Sequence, residues 1–150
     1  MNYEIVNLSE KTVAGYCART NNTSPDMGQV IGGLWQKFYS DEGYLKIPNK
    51  ISGKALGIYT DYAGTEKDDY TVVVAYEVSG EDVPDGFEVR KIPAGKYAKF
   101  VVRGNMTTAV QQFWQELWQM DLDRSFVCDF EEYQNSDCEN AEIHIYIGVK

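Results

Sequence analysis

The chain has 150 residues, of which 43% are hydrophobic, and 23 acidic against 14 basic residues give it a formal net charge of −9. This length fits one domain over residues 1–150 with a sizeable core, and the negative charge disfavours DNA or an anionic membrane as a direct partner. No apolar run approaches the roughly 18 residues of a membrane helix, and the first twenty residues lack the layout of a signal peptide. We therefore expect a cytoplasmic protein.

The sequence offers few residues for metal or cofactor chemistry. Cys17, Cys128 and Cys138 are irregularly spaced and form no CxxC motif, which indicates free thiols in a reducing compartment. The single histidine, His144, disfavours a structural zinc site. No GxSxG motif, P-loop or glycine-rich turn between a strand and a helix occurs. We expect no metal and no cofactor.

The first half of the chain predicts a strand, a helix and two further strands. The strand pattern runs from Tyr3 to Arg19, and Ser24 with the following proline and aspartate is a good helix start. Apolar residues then recur at helical spacing from Ile31 to Tyr39. The segments KALGIYTDY and YTVVVAYEV follow as two strands, with a polar turn between them.

The second half repeats this order. At a constant offset along the chain, FEVRKIPAGKYAKFVVR matches the first strand segment in character, so that Phe87 corresponds to Tyr3 and Arg103 to Arg19. A helix from about Thr107 and the strand segments SFVCDFEEY and AEIHIYIGV follow. We interpret the chain as a duplicated strand–helix–strand–strand unit, with pseudo-repeats at about residues 1–80 and 85–150.

The duplication predicts an α+β fold. Two units joined about a pseudo-twofold axis would form one curved, largely antiparallel sheet with both main helices on one face. We expect a central cleft on the other face, where the two halves meet.

The segment DFEEY indicates a charged pocket in that cleft. On a strand, Glu131 and Tyr133 share one face, and superposition of the halves makes Tyr59 equivalent to Glu131. A buried carboxylate is costly unless hydroxyl groups and a bound cation compensate for it, and aromatic faces attract cations. The alternative is that Glu131 is a solvated strand residue and that the tyrosines are ordinary core or rim residues.

Several segments, in order, resemble one family. In chain order these segments are VAGYCART, LWQKF, LGIYTDY, YTVVVAYEV, FEVRKIPAGKYAKFVVRG, FWQELW, DFEEY and IHIYIGV. Together they resemble the GyrI-like small-molecule-binding superfamily, the effector-binding domain of AraC- and MerR-type regulators. The resemblance spans nearly the whole chain. It implies the duplicated fold and a cleft that binds hydrophobic, often cationic or aromatic, small molecules. It also implies that Glu131 lies at the pocket floor, and the ligand-binding candidates are then Glu131, Tyr59, Tyr133, Trp35, Tyr97 and Tyr146.

The same pocket suits more than one function. As a binding protein, it would sense or sequester a drug or other effector, with Glu131 supplying charge. As a hydrolase of reactive cyclopropane-bearing alkylating compounds, it would use Glu131 as general base, with Tyr59 or Tyr133 stabilising the oxyanion. A protein-interaction module is the third alternative. No residues resemble a helix-turn-helix domain, so we expect any control of transcription to need a regulator partner. Oligomeric state stays open.

Overall fold

A computed structural model of the chain describes residues 1–40 and 43–150. Apart from one short extra helix in the first half, strands and helices follow one another in the same order in both halves. The first half contains β1 (Glu4–Leu8), β2 (Lys11–Thr20), α1 (Met27–Ser40), the short α2 (Gly43–Lys46), β3 (Leu56–Thr60) and β4 (Tyr70–Glu77). The second half contains β5 (Glu88–Ile92), β6 (Gly95–Gly104), α3 (Met106–Leu117), β7 (Arg124–Tyr133) and β8 (Ala141–Val149).

Each predicted first strand is in fact a pair of strands. The chain leaves the sheet after Leu8 and again after Ile92, so β1 is separate from β2 and β5 from β6. In the second half Pro93 is the first residue of the break, and proline lacks the N–H group that a strand ladder needs. The offset along the chain from β1 to β5 is the same as that from β2 to β6. We interpret this correspondence as an internal duplication.

All eight strands form one antiparallel sheet in the order β1-β6-β8-β7-β3-β4-β2-β5. β3 and β7 join the two halves at its centre, where Ile58 lies opposite Phe130 and Gly57 lies opposite Glu131. The predicted α+β fold, with a largely antiparallel sheet and two main helices, is confirmed.

The two main helices pack on the same face of the sheet. α1 buries Leu34 and Phe38 against strands of the first half, and α3 buries Phe113 and Leu117 against strands of the second half. Asn105 starts α3 by accepting hydrogen bonds from the backbone N–H groups of the second and third residues after it, each at 3.1 Å. The prediction that both helices lie on one face is confirmed.

The expected position of the cleft was wrong. The face without helices is filled by buried apolar side chains, including Val13, Ile58, Val73 and Phe130. The cleft lies instead on the helix face, between α1 and α3. The reason is that each helix covers only its own half of the sheet, which leaves the central strands uncovered between them.

No helix in the described ranges is long and apolar enough to cross a membrane. Within those ranges, no group of three or more histidine, cysteine or acidic residues could hold a metal ion. Cys17, Cys128 and Cys138 are free cysteines, and Cys128 is buried.

Candidate ligand-binding site

A cavity of about 1190 Å³ lies between α1 and α3 above the centre of the sheet. Ligand pockets typically measure roughly 300–1,000 Å³, so this one has room for a large, multi-ring molecule. All three tryptophans of the chain line it. The aromatic lining consists of Trp35, Tyr39, Tyr59, Tyr62, Tyr70, Tyr76, Trp114, Trp118 and Tyr133. Tyr39 and Trp118 are 48% and 41% exposed, so they lie where the cavity opens to solvent.

Glu66 and Glu131 are the acidic residues in the lining of this cavity, and Glu131 is the buried one, at 1% exposure. Its Oε2 atom accepts hydrogen bonds from the Tyr59 hydroxyl at 3.1 Å and from Trp114 Nε1 at 2.8 Å. Its Oε1 atom accepts one from the Tyr133 hydroxyl at 2.8 Å. Burial raises the pKa of Glu131, and the three hydrogen bonds oppose the shift. In the described part of the chain, no basic side chain forms an ion pair with this carboxylate.

Local structure explains how these groups meet. Side chains alternate along β7, so Glu131 and Tyr133 point to the helix face while Phe130 points away. Gly57 lies opposite Glu131 on β3. A Cβ atom on this glycine would lie 3.1 Å from Glu131 Oε1 and 3.2 Å from Trp35 Cζ2. Glycine therefore leaves the space that the carboxylate and the Trp35 ring occupy.

The aromatic side chains around Glu131 contact one another edge to face. Trp35 and Tyr133 have ring centroids 5.2 Å apart with an interplanar angle of 79°, and Tyr59 and Trp114 are 5.3 Å apart at 73°. Burial, followed by the charge of Glu131, raises the pKa of both Tyr59 and Tyr133 well above the ordinary value. These hydroxyls therefore stay protonated at neutral pH and act as neutral donors.

A second buried carboxylate, Asp129, lies on the same face of β7. It accepts hydrogen bonds from Arg124 Nη2 at 2.7 Å, the Tyr62 hydroxyl at 2.6 Å and the Gly148 N–H at 2.9 Å. Burial raises the pKa of Asp129, and Arg124 is the largest influence that opposes the shift. Asp129 thus has a cationic counter-ion within the protein, unlike Glu131.

Four of the six predicted ligand-binding residues line the cavity, namely Trp35, Tyr59, Glu131 and Tyr133. The positions expected for Tyr97 and Tyr146 were wrong, because both lie on the opposite face of the sheet. Tyr97 packs against Phe130 and donates its hydroxyl to the Pro93 carbonyl at 2.7 Å. Tyr146 stacks on Phe130 with centroids 4.6 Å apart. The alternation of β6 and β8 turns these two rings away from the helices.

Several cavity residues were missed at the sequence level. Trp114 is one, although the sequence carries a signal for it, because Trp35-Gln36 in the first predicted helix is repeated as Trp114-Gln115 in the second. Arg124 and Tyr62 are others, and for them the sequence carries no comparable signal. The register of β7 against β8 shifts between Arg124 and Asp129, and Phe126 within this irregularity has a positive φ of 53°. Such a bulge turns the guanidinium of Arg124 back towards Asp129.

Comparison with known proteins identifies the family. A family model described as "Cass2: Integron-associated effector binding protein" matches residues 4–149. The chain belongs to this family. A search of curated proteins found no match to the chain.

Solved structures show the same effector-binding fold. An integron cassette protein from the mobile metagenome of Vibrio cholerae is 26% identical, with a TM-score of 0.79 over 99% of this chain and 95% of that chain. SAV2435, solved bound to tetraphenylphosphonium, is 21% identical, with a TM-score of 0.82 over 100% and 94% of the two chains. A putative bacterial transcription regulation protein from Staphylococcus aureus MU50 is 23% identical, with a TM-score of 0.76 over 100% and 99%.

Membership of the integron-associated effector-binding family supports small-molecule binding by this chain. The architecture fits the GyrI-like effector-binding fold that the sequence resembles.

Proposed function

We propose that this effector-binding protein binds lipophilic aromatic cations in the cavity between α1 and α3, with Glu131 as their counter-charge. The observation that carries the proposal is the environment of Glu131. Its carboxylate is buried beside a large cavity and receives three hydrogen bonds from neutral donors.

Electrostatics favour a cationic ligand at this position. A charged group moved out of water is stabilised mainly by hydrogen bonds and by an opposite charge. Glu131 has the hydrogen bonds, and a cation in the cavity would supply the opposite charge. The rings of Trp35, Tyr59 and Trp114 add attraction to a cation, worth roughly 0.5–2 kcal/mol for each well-placed face. SAV2435, which shares the fold, was solved with a lipophilic cation, tetraphenylphosphonium.

Hydrolysis by the same residues has weaker support. In the hydrolase hypothesis, Tyr59 or Tyr133 donates a hydrogen bond to a developing oxyanion. Both hydroxyls already donate to the carboxylate of Glu131. They stabilise a charged glutamate, as a receptor for cations requires. We further propose that the bound effector is sensed or sequestered, and that any control of transcription passes through a regulator partner.

Tryptophan fluorescence tests the proposal directly, because all three tryptophans line the cavity. Tetraphenylphosphonium is titrated into the wild type and into Glu131→Gln, with neutral triphenylphosphine oxide as the uncharged aromatic probe. We expect Glu131→Gln to weaken binding of the cation at least about tenfold, the factor that corresponds to roughly 1.4 kcal/mol. Binding of the neutral probe should change little.

Glu132→Gln is the matched control, since Glu132 lies next to Glu131 on the opposite face of β7 and loses the same charge. Circular dichroism checks that each variant retains its fold. Equal affinity of the wild type and Glu131→Gln for the cation would contradict the proposal. Product analysis of mixtures of the wild type with an alkylating cyclopropane compound would separate binding from hydrolysis.

A further inference from the structure

One part of the cavity lining is polar. This part, called the polar end here, consists of Asn22, Tyr62, Glu66, Tyr70 and Arg124. Asn22 Nδ2 donates to the Glu66 carbonyl at 2.9 Å, and the Tyr70 hydroxyl donates to Asn22 Oδ1. The Tyr62 hydroxyl and Arg124 both bind Asp129. Because Asp129 and Glu131 are two residues apart on one strand face, their positions are separated by about 7 Å.

Arg124 keeps hydrogen-bonding capacity at this end. Its side chain is 6% exposed, and its Nη2 atom binds Asp129 at 2.7 Å. Its Nη1 atom lies 4.0 Å from Glu66 Oε2, which is too far for a hydrogen bond. Its Nε atom is buried and has no hydrogen-bond partner among the described residues. The Nη1 donor of Arg124 and the carboxylate acceptor of Glu66 therefore remain available to a third group that bridges them.

The charges at the polar end determine which kind of ligand group can bridge Arg124 and Glu66. Asp129 already neutralises Arg124, and the carboxylate of Glu66 adds a further negative charge nearby. An anionic group would meet Arg124 but would be repelled by Glu66. A neutral group that both accepts and donates a hydrogen bond can bind Arg124 and Glu66 together, because it is not repelled by either charge.

We propose that the polar end is a second ligand subsite, which takes a neutral carboxamide or hydroxyl group of the ligand. The inference rests on the proposed function, since the cationic part of the same ligand lies at Glu131. The ligand class is then a lipophilic aromatic cation that also carries a neutral hydrogen-bonding group, displaced from its charge in the direction that leads along β7 from Glu131 to Asp129. The ligand carbonyl or hydroxyl oxygen accepts from Arg124, and its N–H or O–H donates to Glu66.

Three phosphonium probes of equal length test the subsite. Butyltriphenylphosphonium ends in a methyl group, its (4-amino-4-oxobutyl) analogue ends in a carboxamide, and its (3-carboxypropyl) analogue ends in a carboxylate. Dissociation constants come from tryptophan fluorescence at pH 7.5. We expect the wild type to bind the carboxamide probe about three- to tenfold more tightly than the butyl probe, as a net hydrogen bond allows. The carboxylate probe should show no such gain.

Glu66→Gln removes the repelling charge from a half-buried side chain. We expect it to tighten binding of the carboxylate probe about tenfold relative to the butyl probe. Glu10→Gln removes the same charge from an exposed position and should leave every ratio unchanged. The double variant Arg124→Gln/Asp129→Asn removes both partners of the buried pair and should bring the carboxamide and butyl probes to equal affinity, with the fold checked by circular dichroism.

A wild-type ratio of one between the carboxamide and butyl probes would overturn the subsite. So would an unchanged carboxylate-to-butyl ratio in Glu66→Gln, or a carboxamide gain that persists in a folded double variant. If the butyl probe binds the wild type in any of these cases, the proposed function stands although the subsite does not. If the butyl probe itself fails to bind the wild type, the proposed function fails, and the subsite fails with it.

Discussion

Asp129 and Glu131 lie two residues apart on the helix face of β7 and are both buried, at 0% and 1% exposure, but they differ in their partners. Asp129 binds Arg124, whereas the donors to Glu131 are two tyrosines and a tryptophan. One carboxylate has its counter-ion within the fold, and the other forms no ion pair with a basic side chain in the described residues. This difference predicts opposite responses when each acid is replaced by its amide.

Replacement of Glu131 by glutamine is expected to stabilise the protein without ligand. Burial raises the folded-state pKa of Glu131, so the native state binds this proton more tightly than the unfolded state does. Stability is therefore lost as the pH rises through that pKa, and the cost is present at neutral pH. We expect Glu131→Gln to raise the free energy of unfolding by about 1 kcal/mol at pH 7.

Urea unfolding at several pH values measures this difference. It should shrink towards zero as the pH falls below the ordinary glutamate pKa of about 4.3. A destabilised Glu131→Gln protein at pH 7 would mean that the three hydrogen bonds outweigh the cost of burying the charge.

Replacement of Asp129 by asparagine is expected to destabilise the protein. It leaves the guanidinium of Arg124 buried with no charged partner closer than Glu66 at 4.0 Å. Removal of one partner from a buried ion pair typically costs about 3–5 kcal/mol. Urea unfolding at pH 7 gives the value, and Arg124→Gln/Asp129→Asn should recover part of the loss. A cost below about 1 kcal/mol would show that the pair contributes little.

The affinity for a cation should depend on pH through Glu131. Below its raised pKa this carboxyl group becomes neutral, so the proton competes with the cation. We expect the dissociation constant of tetraphenylphosphonium to be constant at high pH and to rise about tenfold per pH unit below the pKa, because one proton is exchanged for one cation. Fluorescence titrations from pH 8 down to the acid limit of folding provide the measurement.

Glu131→Gln is the control in this experiment and should give a flat profile. A pH-independent affinity of the wild type would argue that the cation is bound without the charge of Glu131.

Two glycines with different surroundings test the space around Glu131. A Cβ atom at Gly57 would press on Glu131 Oε1 and on Trp35 Cζ2, both within 3.2 Å. We expect Gly57→Ala to cost about 1–3 kcal/mol of stability through overpacking and to weaken ligand binding by displacing the carboxylate. Thermal unfolding and the tetraphenylphosphonium titration measure the two effects.

Gly33, in the middle of α1, has nothing within 4 Å of the position that a Cβ atom would take, and it does not line the cavity. Gly33→Ala should therefore stabilise the helix by up to about 1 kcal/mol and leave binding unchanged. If Gly57→Ala stabilised the protein as much as Gly33→Ala, the carboxylate of Glu131 and the ring of Trp35 would have to move aside without a loss of stability.

The local patterns of the sequence predicted much of the fold. Two similar segments, one in each half and each followed by a helical pattern and two strand patterns, predicted the order of the main strands and helices. The strand period of two predicted that Glu131 and Tyr133 share a face. The equivalence of the two halves predicted that Tyr59 lies near Glu131 where the halves meet. These conclusions depend only on the spacing of residues along the chain, which can be read directly from the sequence.

The tertiary structure alone decided which face of the sheet holds the cavity. β4 is buried on both faces for most of its length, so its apolar run does not tell the helix side from the other side. Alternation along β8 separates Tyr146 from Ile145 and Ile147, but alternation alone does not tell which of the two faces carries the cavity, so Tyr97 and Tyr146 could not be assigned correctly. The position of Arg124 depends on a bulge with a positive φ at Phe126, a backbone state that an aromatic residue seldom adopts. The sequence by itself determined which residues repeat and alternate, whereas packing of the helices on the sheet determined which of them meet around Glu131.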